Sequence, residues 1–264
     1  FHCTQEGFSS TTMSHFVRAS KYRHIYVEPP RSENKWENLR LSTAQGEQQY
    51  VKGNTKFFAL SLSGGGGPVG IFDLTKPGRM EPGKPVIAGH KSHVYDFDFN
   101  PFHEHIIATA SDDSTVKVFG IPEEGVTETI SEALVECSGH GRKATLVKFH
   151  PTCQNLLSSI SADMTVKLWD LNTGGNINTL TDHENLIQDI QWKQSAELYA
   201  TSSKDKTVRL VDPRDNVVAQ SIPMAHDGAK SVKLTFLGDH EKLLTVGFTK
   251  QSQRQIKVWD PRNL

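Results

Sequence analysis

Residues 161–174 read SADMTVKLWDLNTG: a polar turn, an alternating run, a Trp-Asp pair and a second turn. In an extended chain, Val166 and Leu168 fall on one side of the run. Thr165, Lys167 and Trp169 fall on the other, because successive side chains point to opposite faces. Val, Leu and Trp in this alternation predict a strand. Asp163 sits in the turn before it, where a carboxylate can accept backbone N–H groups.

The stretch has copies. SDDSTVKVFG runs over 111–120 and SKDKTVRLVD over 203–212. In each, an Asp (Asp113, Asp163, Asp205) precedes the Phe, Trp or Val position (Phe119, Trp169, Val211) by six residues. Fainter copies end at Asp260 (RQIKVWD) and Asp73 (GPVGIFD). A His leads four copies: His90, His140, His183 and His226, spaced by 50, 43 and 43. After each His comes an apolar alternating run (VYDFDF, TLVKFHP, IQDIQW, SVKLTF) and then another (IIATAS, LLSSIS, LYATSS, LLTVGF). Period-two runs bounded by Gly, Asp, Asn and Pro mean short strands and tight turns.

A period near 40–50 residues with these markers is the signature of a β-propeller of WD repeats. The fold class is therefore all-β. Copies ending near 73, 120, 170, 212 and 260 give about five blades over residues 14–264. A larger ring of seven needs more chain at ~40–45 residues per blade, so a C-terminally truncated propeller with uncovered blade faces is expected. Residues 1–13 look like a polar flank rather than a secretory signal. In WD repeats a His, a Ser or Thr, an Asp and a Trp join in one buried hydrogen-bond chain. The complete set here is expected to be His140, Ser161 (with Ser159 as the other candidate), Asp163 and Trp169. The fifth copy has Gln253 at the turn Asp position and a longer turn.

Composition excludes several classes. Hydrophobic residues are 36%, charged residues 22%, and the net charge is −1, which favours neither nucleic acid nor an anionic membrane. No apolar run approaches the ~18 residues of a bilayer span. Cys3, Cys137 and Cys153 are odd in number and form no CxxC pair, which fits a reducing compartment and gives no zinc site. The Ser–His–Asp trio invites comparison with a hydrolase triad. However, no GxSxG is present, and the trio recurs in degraded form in each repeat. SGGGGPVG (63–70) resembles a phosphate-cradling loop but lacks the Lys and Ser/Thr that follow one, so a hairpin turn is predicted. His103 and His105 fall in a turn and are expected to face solvent. No cofactor, metal or catalytic role is expected.

RASKYRHIYVEPPRSENKWENLRLS (18–42) resembles the N-terminal signature of the coronins, a S-K-[FY]-R-H-[VI] element followed by an I-R-V-S-like strand. SGGGGPVGIFDLTKPGR, IATASDDSTVKVFGIPEEG, TSSKDKTVRLVDPR and GFTKQSQRQIKVWDPRNL resemble that family's first, second, fourth and fifth blades in order. The third blade resembles it over GHGRKATLVKFHPTCQNLLSSISADMTVKLWDLNTG. The resemblance covers about residues 14–264, including departures from the general WD pattern. It implies a cytoplasmic regulator of the actin cytoskeleton that binds filamentous actin and influences the Arp nucleation complex and cofilin-driven turnover. It implies an actin contact at Arg40, in NLRLS, with Lys21 and Arg23 as further contacts. Arg40 read on its own is a surface residue paired with Glu37. Glu28 and the Pro29-Pro30 pair stand where many coronins have Gly and a single Pro. The alternative is a WD scaffold that binds peptides or proteins at the propeller's central opening without actin affinity.

Overall fold

The alternating runs become strands that pair with their sequence neighbours. A computed structural model describes residues 31–263, except 48 and 239. In chain order the first strands are β1 (Trp36–Glu37), β2 (Val51–Gly53), β3 (Phe57–Ser61), β4 (Val69–Asp73) and β5 (Gly78–Arg79). The second blade is β6 (Val94–Phe99), β7 (Ile106–Ser111), β8 (Thr115–Gly120) and β9 (Val135–Ser138). The third is β10 (Ala144–Phe149), β11 (Leu156–Ser161), β12 (Val166–Asp170) and β13 (Gly175–Leu180). The fourth is β14 (Ile187–Trp192), β15 (Tyr199–Ser203), β16 (Val208–Asp212) and β17 (Val217–Ile222). The fifth holds β18 (Lys233–Phe236), β19 (Leu243–Phe248) and β20 (Arg254–Trp259).

Each blade is an antiparallel meander in sequence order, giving an all-β propeller of five blades among the described residues. The first blade is β2-β3-β4. Its outer edge is extended by Ile87, which bridges Val69 on one side and Ile130 on the other. The strand pair β1-β5 is parallel and lies outside the blades.

Both faces of a blade are apolar because each packs on a neighbouring blade. Phe57, Val69 and Ile71 of the first blade share one core with Val94, Phe97 and Phe119 of the second. Val118 and Cys137 meet Val147, Leu157 and Trp169 of the third. Ile160 and Val166 meet Ile190, Tyr199 and Val211 of the fourth. Ala200 and Leu210 meet Leu234 and Leu243 of the fifth. Each such side chain contributes ~1.5–3 kcal/mol when fully buried. On the last strand, Ile256 and Val258 stay 70% and 54% exposed, so no blade among the described residues covers that face.

The turn between β7 and β8 and its equivalents repeat one geometry. Ser114, Met164, Lys206 and Ser252 all take positive φ, between 62° and 70°. The Asp before three of these turns fixes the loop, accepting from the backbone N–H of Thr115, Thr165 and Thr207 at 2.8–3.0 Å. The glycine run 63–70 is the β3–β4 hairpin. Gly67 has φ +58°, and a Cβ there would lie 2.4 Å from the Val94 nitrogen. Glycine is needed because this hairpin docks against the backbone of the second blade.

The expectation that His103 and His105 both face solvent needs correction. His103 is exposed, but His105 is half-buried. The His105 ring packs edge-on against Phe57 at 5.6 Å, and its Nδ1–H donates to the Ile121 carbonyl at 2.9 Å. The turn brings it against the first blade, which sequence spacing alone does not reveal.

Candidate functional site

The trio that suggested catalysis is built into the third blade. Trp169 Nε1–H donates to Ser159 Oγ at 2.8 Å. The Ser159 hydroxyl lies 2.7 Å from His140 Nε2, and His140 Nδ1 lies 3.1 Å from Asp163 Oδ2. Thr165 and the Gly141 N–H complete the donor set around Asp163. The chain of protons is consistent: indole to serine, serine to imidazole, imidazole to carboxylate. Ser159 is fully buried, so its hydroxyl is out of a substrate's reach.

This corrects the choice of Ser161. Trp169 lies opposite Leu157, and Lys167 opposite Ser159, in the β11–β12 register. Ser159 is thus the diagonal neighbour of Trp169, within reach of a large side chain, while Ser161 is a further step away. The Ser161 hydroxyl instead donates to the Arg142 carbonyl at 3.0 Å and accepts from the Asp163 N–H at 3.1 Å. Ser111 and Ser203 do the same in their blades. The repeated Ser therefore pins the turn to the preceding loop.

The other blades keep fragments of this hydrogen-bond chain. In the second, His90 reaches Thr109 (2.7 Å) and Asp113 (3.0 Å), with Phe119 in the indole position. In the fifth, Trp259 and His226 converge on Thr245, both at 2.9 Å. In the fourth, His183 reaches Thr201 at 2.9 Å, but Asp205 pairs with Arg209 at 2.9 Å instead. Burial pushes the Asp113 and Asp163 carboxyls up, but hydrogen bonds and the His90 and His140 partners outweigh it and hold both at about 2. Burial, with Arg209 nearby, depresses His183 from its ordinary 6.5 to about 4. Burial also lowers His90, His140 and His226.

A stability prediction follows. An unfolded His183 takes its proton near pH 6.5, and the folded one resists until about 4. Its contribution is complete above pH 6.5 and is lost as pH falls toward 4, by up to ~1.4 kcal/mol per pH unit. Urea denaturation should give a lower midpoint at pH 5 than at pH 7, and His183→Gln should shrink that difference. Equal midpoints for the parent chain would refute the assignment.

A second polar cluster was missed by sequence reasoning. Lys52 of the first blade reaches Asp96 at 2.8 Å and Asp98 at 3.6 Å in the second. Asp96 and Asp98 also accept from the Val147 and Phe149 N–H groups of the third, at 3.1 and 3.0 Å. Burial disfavours the Lys52 ammonium, but the two carboxylates outweigh it and hold the group above its usual range. Asp189 does likewise between the fourth and fifth blades, accepting from the Leu234 N–H at 3.0 Å. The available signal was DFD in an otherwise apolar buried run.

Arg40 follows β1. Its carbonyl accepts from the Ser63 N–H at 2.8 Å, and the neighbouring Leu41 bridges Leu62. Its side chain is exposed and borders a cavity of about 290 Å³ shared with Asn38, Ser63, Pro68 and Glu81. It does not pair with Glu37, whose carboxylate takes Lys35 at 2.7 Å. Lys21, Arg23, Glu28, Pro29, Pro30 and residues 1–13 lie outside the described residues. Among the described residues no cluster of His, Cys, Asp and Glu is arranged to hold a metal, and no helix is long and apolar enough to cross a membrane.

The chain resembles known proteins over most of its length. A family model described as "WD domain, G-beta repeat" matches residues 83–120, 131–170 and 174–212. Another, described as "Domain of unknown function (DUF1899)", matches residues 15–79. The coronin-like protein crn1 of Schizosaccharomyces pombe is 35% identical, over 94% of this chain and 42% of the relative. The coronin-like protein of Saccharomyces cerevisiae is also 35% identical, with 40% of its length covered. Human coronin-2A is 31% identical, with 48% covered. The chain thus spans less than half the length of these curated relatives. The crystal structure of the WD40 domain from Toxoplasma gondii coronin superposes with a TM-score of 0.83 at 32% identity, covering 88% of this chain and 60% of that one. Repeat pattern, blade geometry and these likenesses agree: the chain belongs to the coronin family.

Proposed function

We propose that the chain binds filamentous actin through the surface that carries Arg40, as a non-catalytic interaction propeller of the cytoplasmic actin cytoskeleton. Effects on the Arp nucleation complex and on cofilin-driven turnover belong to the same reading. The observation that carries it is the state of Arg40. Its guanidinium is exposed, and no described carboxylate forms an ion pair with it. A free guanidinium beside a shallow cavity suits an acidic protein surface, since Arg binds carboxylates in a two-pronged fashion. Family membership supports actin as that surface.

Co-sedimentation with filamentous actin over a range of salt tests this. The parent chain should pellet with filaments at low salt and less so as salt screens the contact. Arg40→Asp should weaken binding at least ~10-fold, equivalent to ~1.4 kcal/mol. If the parent chain stays in the supernatant at low salt, or Arg40→Asp pellets equally well, the assignment is wrong.

A further inference from the structure

The cavity beside Arg40 has a mainly apolar floor. Leu62 is buried there, and Pro68, Met80 and Val86 are half-buried. Two exposed charges border it, Arg40 and Glu81. No ion pair joins them, and among the described residues neither pairs with another charged side chain. The walls are held in place from both sides. The Asn38 side-chain N–H donates to the Met80 carbonyl at 2.8 Å, and the Met80 N–H donates to the Glu37 carbonyl at 2.9 Å. These bonds tie the segment leading to Arg40 to the segment leading to Glu81. Residues 81–84 then form a tight turn, in which the Lys84 N–H donates to the Glu81 carbonyl at 3.3 Å. Pro82 is its second residue and Gly83, at φ +82°, its third. Pro and Gly are the residues that a type II turn favours at those places, so the Glu81 rim is fixed as well.

We propose that this cavity seats one apolar side chain of a filament subunit, with an acidic residue of the partner on Arg40 and a basic one on Glu81. This rests on the reading that the Arg40 surface meets actin. Size, shape and charge set the chemistry of the occupant. At about 290 Å³ the cavity falls at the low end of ligand pockets, ~300–1,000 Å³, and takes a single large side chain. Its walls are formed before the partner arrives, so little ordering cost is paid on binding. An apolar anchor in a pocket with polar contacts around it is where interfaces concentrate their energy. The two unpaired rim charges differ in sign, so a uniformly acidic partner would leave Glu81 facing a like charge.

The test is co-sedimentation of the full chain with filamentous actin at low salt. Glu81→Lys separates two outcomes of opposite sign. Plain attraction between a basic surface and an acidic filament would make this variant bind more tightly, because it adds positive charge. A basic residue seated on Glu81 instead makes it bind at least ~10-fold more weakly, with Glu81→Gln weakened several-fold. Ser63→Trp, which places an indole at the cavity without changing charge, should also bind at least ~10-fold more weakly. Ser63 and Glu81 are exposed, and an unchanged urea midpoint will confirm that the variants fold. Glu81→Lys that pellets as well as the parent or better, or folded Ser63→Trp with unchanged affinity, overturns the seated side chain while leaving Arg40 in place. A parent chain that stays in the supernatant, or Arg40→Asp that pellets equally well, removes the underlying actin contact and the seated side chain together.

Discussion

Asp96→Ala is expected to destabilise the propeller by about 3–5 kcal/mol, because it leaves a buried ammonium without its main partner. Asp96 is fully buried, and Lys52 nearly so. The carboxylate bonds in two directions, to Lys52 in the first blade and to the Val147 N–H in the third. Its loss therefore loosens two blade interfaces at once. Asp98, 3.6 Å from Lys52, offers partial compensation and keeps the effect below outright unfolding. At this size the shift corresponds to a fall in Tm of roughly 10 °C. The discriminating measurement is a double-mutant cycle. Removing both charges, with Lys52→Met and Asp96→Leu together, should recover most of the loss, since the penalty comes from the stranded charge. If the pair is as unstable as the sum of its single variants, the ion pair is not what couples these blades.

Ser159→Ala should cost about 2–4 kcal/mol, whereas Ser161→Ala should cost about 1 kcal/mol. The difference lies in what each hydroxyl leaves behind. Without the Ser159 Oγ, the indole N–H of Trp169 and the Nε2 acceptor of His140 both lose their partner inside the core. Each orphaned buried group costs about 1–3 kcal/mol. Ser161 leaves behind the Arg142 carbonyl and the Asp163 N–H, which belong to an exposed and a half-buried residue of the adjoining loops, where water can reach them. Urea midpoints of the two variants, read side by side, settle the order. Equal losses, or a larger loss for Ser161→Ala, would mean that the indole bond contributes little.

These residues show where sequence reading stops. Alternation and turn residues located three strands in each of the last four blades and one in the first, because successive side chains point to opposite faces of a strand; the outer strands β9, β13 and β17 were not read. The same period hides the choice between Ser159 and Ser161, which share a face. Only the register, Leu157 against Trp169, separates them. Asp96 and Asp98 were visible as acids in a buried run, but Lys52 lies in another blade and no local pattern names it. Arg40 was legible through family resemblance alone. The structure adds its exposure and, among the described residues, the lack of a carboxylate that pairs with it.

The link between Glu47 and the fifth blade sets an order of events in time. Most contacts in the propeller join strands made close together in the chain, so each blade can assemble soon after its residues exist. Glu47 instead bonds to Ser231 and Lys233. A chain made from its amino end must hold that carboxylate in water through the assembly of three whole blades. This contact is therefore completed only once the fifth blade has been made, however early its first residue emerges.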